Sequence, residues 1–358
     1  MTHPTSSSCQ SGELGAAIDR VNADTLRLFP ALVGKLGGDP SSLLRDVGID
    51  PDSLPRAGIG YRAMADLLER AAAQLQCPDF GMRLARAQGG GKVFGALGVV
   101  MRNSKTLGDA LDYVASHCRA HSLATGIRID RARGIQRRLV GHEILLDGLS
   151  DRRQLIEQFL LLGHLNALEI TGRKVAAREI LLRHRPLSSL ATYRRHFGCN
   201  VHFGQEEDGI VFSEWDLSCP IVDPSPQLYR WATTLVESRS SFRTPPLHTQ
   251  VRALIVRFLG AEDCSDERVA AELCLHPRTL RRRLRTERTS FHHIKDQVRR
   301  DFALAYLQQS DVPLPRVAER LGYSAHSAFS RSCVGWFSAS PSQIRERATR
   351  RAGVTRVV

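Results

Sequence analysis

The sequence predicts an α+β domain followed by an all-α domain in which two helix-turn-helix units are joined by a linker helix. Three observations carry this. First, a motif repeats. Val269-Ala270-x-x-Leu273 returns as Val317-Ala318-x-x-Leu321, and the Leu280-x-Arg282 after the first copy returns as Phe329-x-Arg331, one residue later in register. Second, the apolar period is mixed up to about Asp223, with helical spacing and two-residue alternation in no regular order, and purely helical beyond it. Third, charge collects at the end. Of a formal net charge of +13, residues 261–358 hold 18 Lys and Arg against 11 Asp and Glu, and the first 260 hold 32 against 26. The basic excess per residue is about three times higher in the last quarter.

Taken in order, Asp19 to Asp46 reads as helical, interrupted at Pro30 and stopped at Gly37-Gly38, and Ile49-Asp50-Pro51-Asp52 as a turn. Tyr61 to Leu75 is a helix with Met64, Leu67, Leu68, Ala71 and Leu75 on one face. Gly89-Gly90-Gly91-Lys92 lacks the spacing and the following Ser/Thr of a phosphate loop and reads as a turn. Thr106 caps a helix from Leu107 to about His121. Ala124–Asp130 and Gln136–Leu146 alternate around Arg133-Gly134, a hairpin pattern. Asp151 opens an apolar helix to about Thr171. Glu179–Arg183 reads as a strand, Ser188–Phe197 as a helix closed by Gly198, and Val201–Phe203 and Gly209–Phe212 as short strands. Asp223–Leu259 is helical, broken at Thr244-Pro245-Pro246, which with Glu262-Asp263 marks the linker.

In the last quarter, Val269 with Leu273 and Leu280 with Leu284 give two short helices one apolar stripe each. Pro277 suits the first position of the second helix, where its missing N–H is not needed. Arg278, Arg281, Arg282, Arg283 and Arg285 are too polar and too dense for core. Alone they would read as a solvated face. Inside a repeated unit they outline a recognition helix that enters a DNA groove. Phe291–Gln309 offers Phe291, Ile294, Val298, Phe302, Ala305 and Leu307 for burial. It is a rigid spacer that can set two recognition helices on one face of a duplex, about one helical turn apart. Trp336 and Phe337 read as core.

Composition bounds the rest. At 358 residues the chain can bury two cores. The positive charge favours a polyanion, either nucleic acid or an anionic membrane surface. No apolar run approaches the ~20 residues of a membrane span. The start, MTHPTSSSCQSGELG, lacks the basic region and apolar core of a secretory signal. Eight cysteines without a Cys-x-x-Cys pair suit a reducing cytoplasm. His117-Cys118-x-x-His121 cannot aim three ligands from one helix at one ion, so no metal or other cofactor is expected. Glu206-Glu207 and Asp208 read as a solvated loop.

Three stretches resemble the AraC/XylS DNA-binding domain: RVAAELCLHPRTLRRRL, VRRDFALAYL and VAERLGYSAHSAFSRSCVGWFSASPSQIR. Between about Leu43 and Asp223 the chain resembles the branch that contains ornithine-utilisation regulators. The carriers are Asp79-Phe80-Gly81-Met82-Arg83-Leu84, Thr106-Leu107-Gly108-Asp109-Ala110-Leu111, and Tyr193-Arg194-Arg195-His196-Phe197-Gly198-Cys199 with Val201-His202-Phe203-Gly204. Residues 1–18 read as a short disordered tail, and the resemblance implies an effector-binding and dimerisation domain at 19–243 and a linker with a helix at 244–264. It further implies a DNA-binding domain at 265–348 and a basic tail at 349–358. It implies a cytoplasmic, non-enzymatic, sequence-specific transcriptional activator. Its partners would be double-stranded DNA, RNA polymerase, a small-molecule effector and a second copy of itself, with no membrane.

By the same resemblance, base-facing positions fall on Arg278, Arg281 and Arg282 in the first unit and on His326, Ser327, Ser330 and Arg331 in the second. Arginine is the usual bidentate reader of guanine, so the first unit is the better armed. Phosphate contacts are expected from Arg283, Arg285, Lys295, Arg299 and Arg300. His117, His121, Arg128, His142 and His164 are the polar groups able to orient an effector. The chain departs from the family in three places. Cys274 stands where the turn carries Gly, His276 stands where it carries a Ser cap, and Cys333-Val334-Gly335 precedes Trp336 where an aromatic and a basic pair are expected. The second unit is therefore expected to be less stable, with fewer phosphate contacts. Two other readings compete: a methyl-accepting repair enzyme that shares the C-terminal module, and a non-specific architectural binder. The scattered cysteines argue against the first, and the large, mostly non-basic N-terminal region against the second.

Overall fold

The computed structural model describes residues 20–21, 23–51, 59–118, 122, 124–131, 137–146, 149, 151–241, 246–259, 264–309 and 312–354. Strand β1 (Arg20–Val21) pairs with β2 (Ile59–Gly60) around a 3-10 turn and the short helices α1 (Phe29–Lys35) and α2 (Pro40–Arg45). Both helices carry proline in their first turn, where its fixed φ assists the helix. The interruption expected at Pro30 is thus a helix start.

Helices α3 (Tyr61–Gln74), α4 (Phe80–Gln88), α5 (Ala96–Arg102) and α6 (Leu107–His117) follow. Helix α6 opens with a reciprocal cap: Asp109 N–H donates to Thr106 Oγ1 at 3.1 Å and Thr106 N–H to the Asp109 carboxylate at 3.1 Å. It ends at His117, short of the expected His121, which lies outside the described residues. Next come the hairpin β3 (Thr125–Arg131) and β4 (Arg137–Ile144), helix α7 (Arg153–Ile170), β5 (Glu179–Leu181), α8 (Leu190–Phe197), β6 (Asn200–His202), β7 (Gly209–Ser213) and the short α9 (Glu214–Ser218).

These five strands form one sheet in the order β3-β4-β7-β5-β6, antiparallel except between β5 and β6. Register puts Ile127 opposite His142, Ile129 opposite Val140 and Val140 opposite Ile210, so one face is largely apolar. Helix α7 lies on that face. Its Gly163 explains the close approach, because a Cβ there would sit 3.3 Å from Ile210 Cδ1.

Beyond the sheet the chain is helical: α10 (Pro226–Ser241), α11 (Leu247–Phe258), α12 (Asp266–Glu272), α13 (Pro277–Thr286), α14 (Phe291–Gln309), α15 (Leu314–Arg320), α16 (His326–Phe337) and α17 (Pro341–Val354). Helix α17 enters the stretch expected as a basic tail. One buried cluster runs from Leu26 to Ile221 and a second from Val251 to Ile344. A small third cluster, Leu97 and Val100 with Ala232 and Val236, fixes α10 to α5.

Two features invite tests. In the first helix-turn-helix, Cys274 takes a left-handed conformation (φ 53°), and the equivalent residue of the second is Gly322 (φ 69°). A side chain in that region costs about 1 kcal/mol or more. Cys274→Gly is therefore expected to stabilise by roughly 1 kcal/mol, read as a rise in urea midpoint, and Gly322→Ala to lower it.

Glu157 of α7 is fully buried, accepts the Tyr193 hydroxyl, and is pushed by burial up to about 8. The folded state then holds a proton that the unfolded chain releases above its ordinary value near 4.5. This group's contribution is complete below about pH 4.5 and is lost as pH rises toward 8. Glu157→Gln is expected to flatten that part of the pH–stability curve, and an unchanged curve would contradict the assignment.

Candidate nucleic-acid interface

The first unit is built by short-range chemistry. Ser265 caps α12 by accepting from Arg268 N–H at 3.3 Å, and the His276 imidazole caps α13 by accepting from Arg278 N–H at 3.2 Å. The cap at His276, where the family carries Ser, is made through a ring nitrogen. Leu280 and Leu284 of α13 are fully buried against Val269 and Ala270 of α12. That packing turns the opposite face outward, and Arg278, Arg281, Arg282, Arg283 and Arg285 are all exposed. Arg281 bonds back to α12, to Asp266 and, at 2.9 Å, to Glu267. The bond to Arg281 holds the Asp266 carboxyl below its usual range.

In the second unit Phe329 and Cys333 of α16 are buried. His326, Ser327 and Arg331 are exposed and Ser330 is half-buried. Trp336 and Phe337 pack against the second core, as expected. Trp336 also donates to Asp296 of α14 at 2.9 Å.

Helix α14 is the spine between the units. Its cations divide in a way that spacing alone does not reveal. Lys295 Nζ donates to Cys264 O at 2.6 Å. Arg299 donates to Leu321 O at 2.9 Å and Gly322 O at 2.6 Å, with its guanidinium 4.3 Å above the Tyr323 ring. Two of the three α14 cations expected at phosphate are therefore engaged by protein carbonyls. Arg300 is exposed, 5.7 Å from the Phe337 ring centre.

The other side of α14 meets the N-terminal part of the chain. Arg252 of α11, 4 % exposed, donates to Asp301 of α14 at 2.7 Å and to Leu146 O at 3.2 Å. The guanidiniums of Arg183 and Arg152 lie 4.6 and 5.5 Å from the Phe302 ring centre. Burial disfavours the charge on Arg152, with Asp208 and Asp301 opposing. Tyr306 donates to Glu206 O at 3.4 Å, and Arg320 donates to Gly204 O at 3.2 Å. Glu206 and Asp208, expected in a solvated loop, sit at this junction. Only the fold brings these segments together, so no local pattern marks them.

Of the residues expected to orient an effector, His121 lies outside the described residues and the other four do not converge. Arg128 is engaged by Asp130, Glu143 and Glu207 on the sheet face away from α7. His164 is buried and pulled down to about 4 by desolvation, and its neutral ring accepts Ala177 N–H at 3.2 Å. It is a satisfied core histidine. His117 stacks on Tyr113 at 4.0 Å and bonds the Tyr113 carbonyl at 2.9 Å. Among these described residues His142, stacked on Phe159 at 5.2 Å, borders a cavity.

Two helix-turn-helix units on one helical spine, one with an outward arginine face, define a DNA-binding protein. Two family models and two relatives agree. A family described as the arabinose-binding domain of AraC transcription regulator, N-term, matches residues 37–221, and a helix-turn-helix domain family matches residues 269–347. The transcriptional regulator VirS of Mycobacterium tuberculosis is 34 % identical over 93 % of this chain and 97 % of its own length. The ornithine utilization regulator of Pseudomonas aeruginosa is 24 % identical over 88 % of this chain and 93 % of its own. The crystal structure of the P. aeruginosa regulator CdpR aligns over 86 % of the chain at 21 % identity with a TM-score of 0.43. The chain belongs to the AraC family of transcription regulators. Among the described residues no helix is long and apolar enough to cross a membrane.

The division of the α14 cations is testable. Arg299→Gln removes two charge-assisted bonds to carbonyls and is expected to cost about 2 kcal/mol, seen as a lower melting temperature without DNA. Arg300→Gln is expected to leave the melting temperature within a degree.

Proposed function

We propose that this regulator activates transcription by laying its two recognition helices in successive major grooves of operator DNA, as a homodimer in the cytoplasm, in answer to a small-molecule effector. RNA polymerase is the partner that converts binding into activation. The observation that carries the reading is the pair of units on one rigid helix, with the arginine face outward and the reverse side of that helix docked on the N-terminal part. That docking gives an effector a mechanical route to the DNA-binding half.

In this reading Arg278 and Arg282 are the guanine readers of the first unit, with Arg281 joining them by exchanging Asp266 for a base. His326, Ser327, Ser330 and Arg331 read or position in the second unit. Arg283, Arg285 and Arg300 meet phosphate, while Lys295 and Arg299 act by holding the units to α14. The repair-enzyme alternative needs an activated thiol, but burial pushes Cys77 and Cys199 up to about 11, the opposite of activation.

A footprint tests the proposal, with protection over two adjacent major grooves per chain expected. Arg282→Ala is expected to cost ~1–3 kcal/mol at one base position and to relax specificity there. Arg283→Ala is expected to weaken all sequences alike and to lower the salt slope by about 1. Equal binding to every sequence would overturn the reading.

A further inference from the structure

We propose that the cavity between the sheet and helices α5, α6 and α7 is the effector site, and that its ligand is small, uncharged and largely apolar. The inference rests on the regulatory reading above and names the chemistry of its signal.

The cavity holds about 80 Å3. Ile127 and His142, cross-strand neighbours on the α7 face of the sheet, form one wall. Phe159 of α7, Val114 of α6, and Leu97 and Met101 of α5 close the others. The lining holds no Asp, Glu, Lys or Arg, and Thr125, Cys118 and His142 supply the polar atoms. The Cys118 thiol already lies 3.8 Å from the Thr125 carbonyl. The imidazole of His142 is stacked flat against Phe159, with 19° between the ring planes.

This lining selects by chemistry. An ion brought here loses its hydration and meets no carboxylate, ammonium or guanidinium, at a cost of several kcal/mol. A sugar brings more hydroxyls than the wall can satisfy, and each unpaired one costs roughly 1–3 kcal/mol. An apolar group is driven into such a lining by its own burial, and each buried methylene contributes about 0.8 kcal/mol. The site therefore disfavours sugars and amino acids. It favours a compact hydrocarbon or aromatic body with at most one hydrogen-bonding group set toward His142 or Thr125. The present volume is about half the roughly 150 Å3 that admits a benzene ring. The unbranched Met101 is the wall residue able to turn aside.

Both walls lead to the DNA-binding half. His142 N–H donates to Asp208 O at 2.9 Å, Asp208 Oδ1 accepts Arg183 N–H at 2.8 Å, and the Arg183 guanidinium covers Phe302 of α14. On the opposite wall, Leu97 packs on Ala232 and Val236 of α10, the helix that precedes the linker. A ligand that spreads the walls moves either the cover of α14 or the approach to the linker.

The test uses the full chain with toluene and p-cresol as probes, and L-ornithine and L-arabinose as polar comparisons, read by melting temperature and calorimetric titration. Either apolar probe at about ten times its dissociation constant is expected to raise the melting temperature by roughly 3 °C, saturably. The polar pair is expected to leave it unchanged. Leu97→Trp fills the cavity and is expected to abolish the effect, and Met101→Phe is the milder filling should that variant not fold. Flat titrations with both apolar probes, an undiminished response in a folded filled variant, or stabilisation by ornithine or arabinose that filling removes would each overturn the inference. A chain that footprints specific DNA yet ignores the probes fails only here. A chain that takes up the probes but binds every sequence alike fails the regulatory reading instead.

Discussion

Helix α14 must satisfy three neighbours at once, and the rest of the structure follows from how it does so. Val298 and Leu307 face the second core, so the helix cannot rotate without exposing them. With rotation fixed, Arg299 meets the turn of the second unit, Lys295 meets the carbonyl of Cys264 ahead of the first, and Asp301 with Phe302 meets the N-terminal part. Each helix-turn-helix is small and could not hold an angle to the other by itself. Bound to one spine, they share a fixed geometry, which two-groove recognition requires. Glu287 adds to this by accepting the Leu247 and His248 N–H groups at 2.8 Å each, so the end of the first unit anchors the start of α11.

Arginine serves two purposes here, and the difference is the acceptor within reach. A guanidinium pointing at a carbonyl or carboxylate that the fold has already desolvated is part of the structure, because withdrawing it would leave that acceptor unpaired. Arg252 and Arg299 are of this kind. Arg278, Arg282, Arg283 and Arg285 face solvent from a helix whose inner stripe is filled by leucine. Arg281 lies between: it is exposed and its partner Glu267 is exposed too, while Asp266 is largely covered, so water screens the guanidinium even as the two carboxylates hold it. A base edge or a phosphate can compete for it.

The sequence makes the C-terminal half legible because its determinants are local. Stripes four residues apart, Pro277 at a helix start and the repeated Val-Ala-x-x-Leu are readable within a turn or two of helix. Although the reciprocal bond from Asp109 is seen only in the structure, the hairpin and the helix cap at Thr106 are readable for the same reason. Helices α4 and α5 were not, since glycine and arginine dilute their apolar faces, and Gly81 and Gly98 are accommodated by packing: a Cβ at Gly81 would stand 2.2 Å from Gln154 O. Pro30 misled because the same residue opens a helix or breaks one, depending on where the first turn falls. Among the histidines, residue type gave no guide. His164 and His142 are both polar groups in apolar company, and only the fold decides that one is capped by a backbone N–H while the other borders a cavity.

The carboxylates beside Arg281 bear on how a basic regulator stays selective. Non-specific attraction to DNA grows with each phosphate neutralised, and it falls with salt accordingly. Base discrimination grows only with groups that reach an edge in the groove. A recognition helix with five arginines and no internal acceptor would gain on both scales at once, leaving the ratio between them little changed. Asp266 and Glu267 alter that balance. They reduce the charge that the first unit presents to any backbone, and they hold Arg281 by bonds weak enough for a well-placed acceptor to replace. In the proposed reading, a guanine offering two acceptors in the geometry of a guanidinium can make that exchange, while a single phosphate oxygen competes with two carboxylates at a disadvantage. In that reading the acidic first turn of α12 is a filter on the arginine that packs beside it.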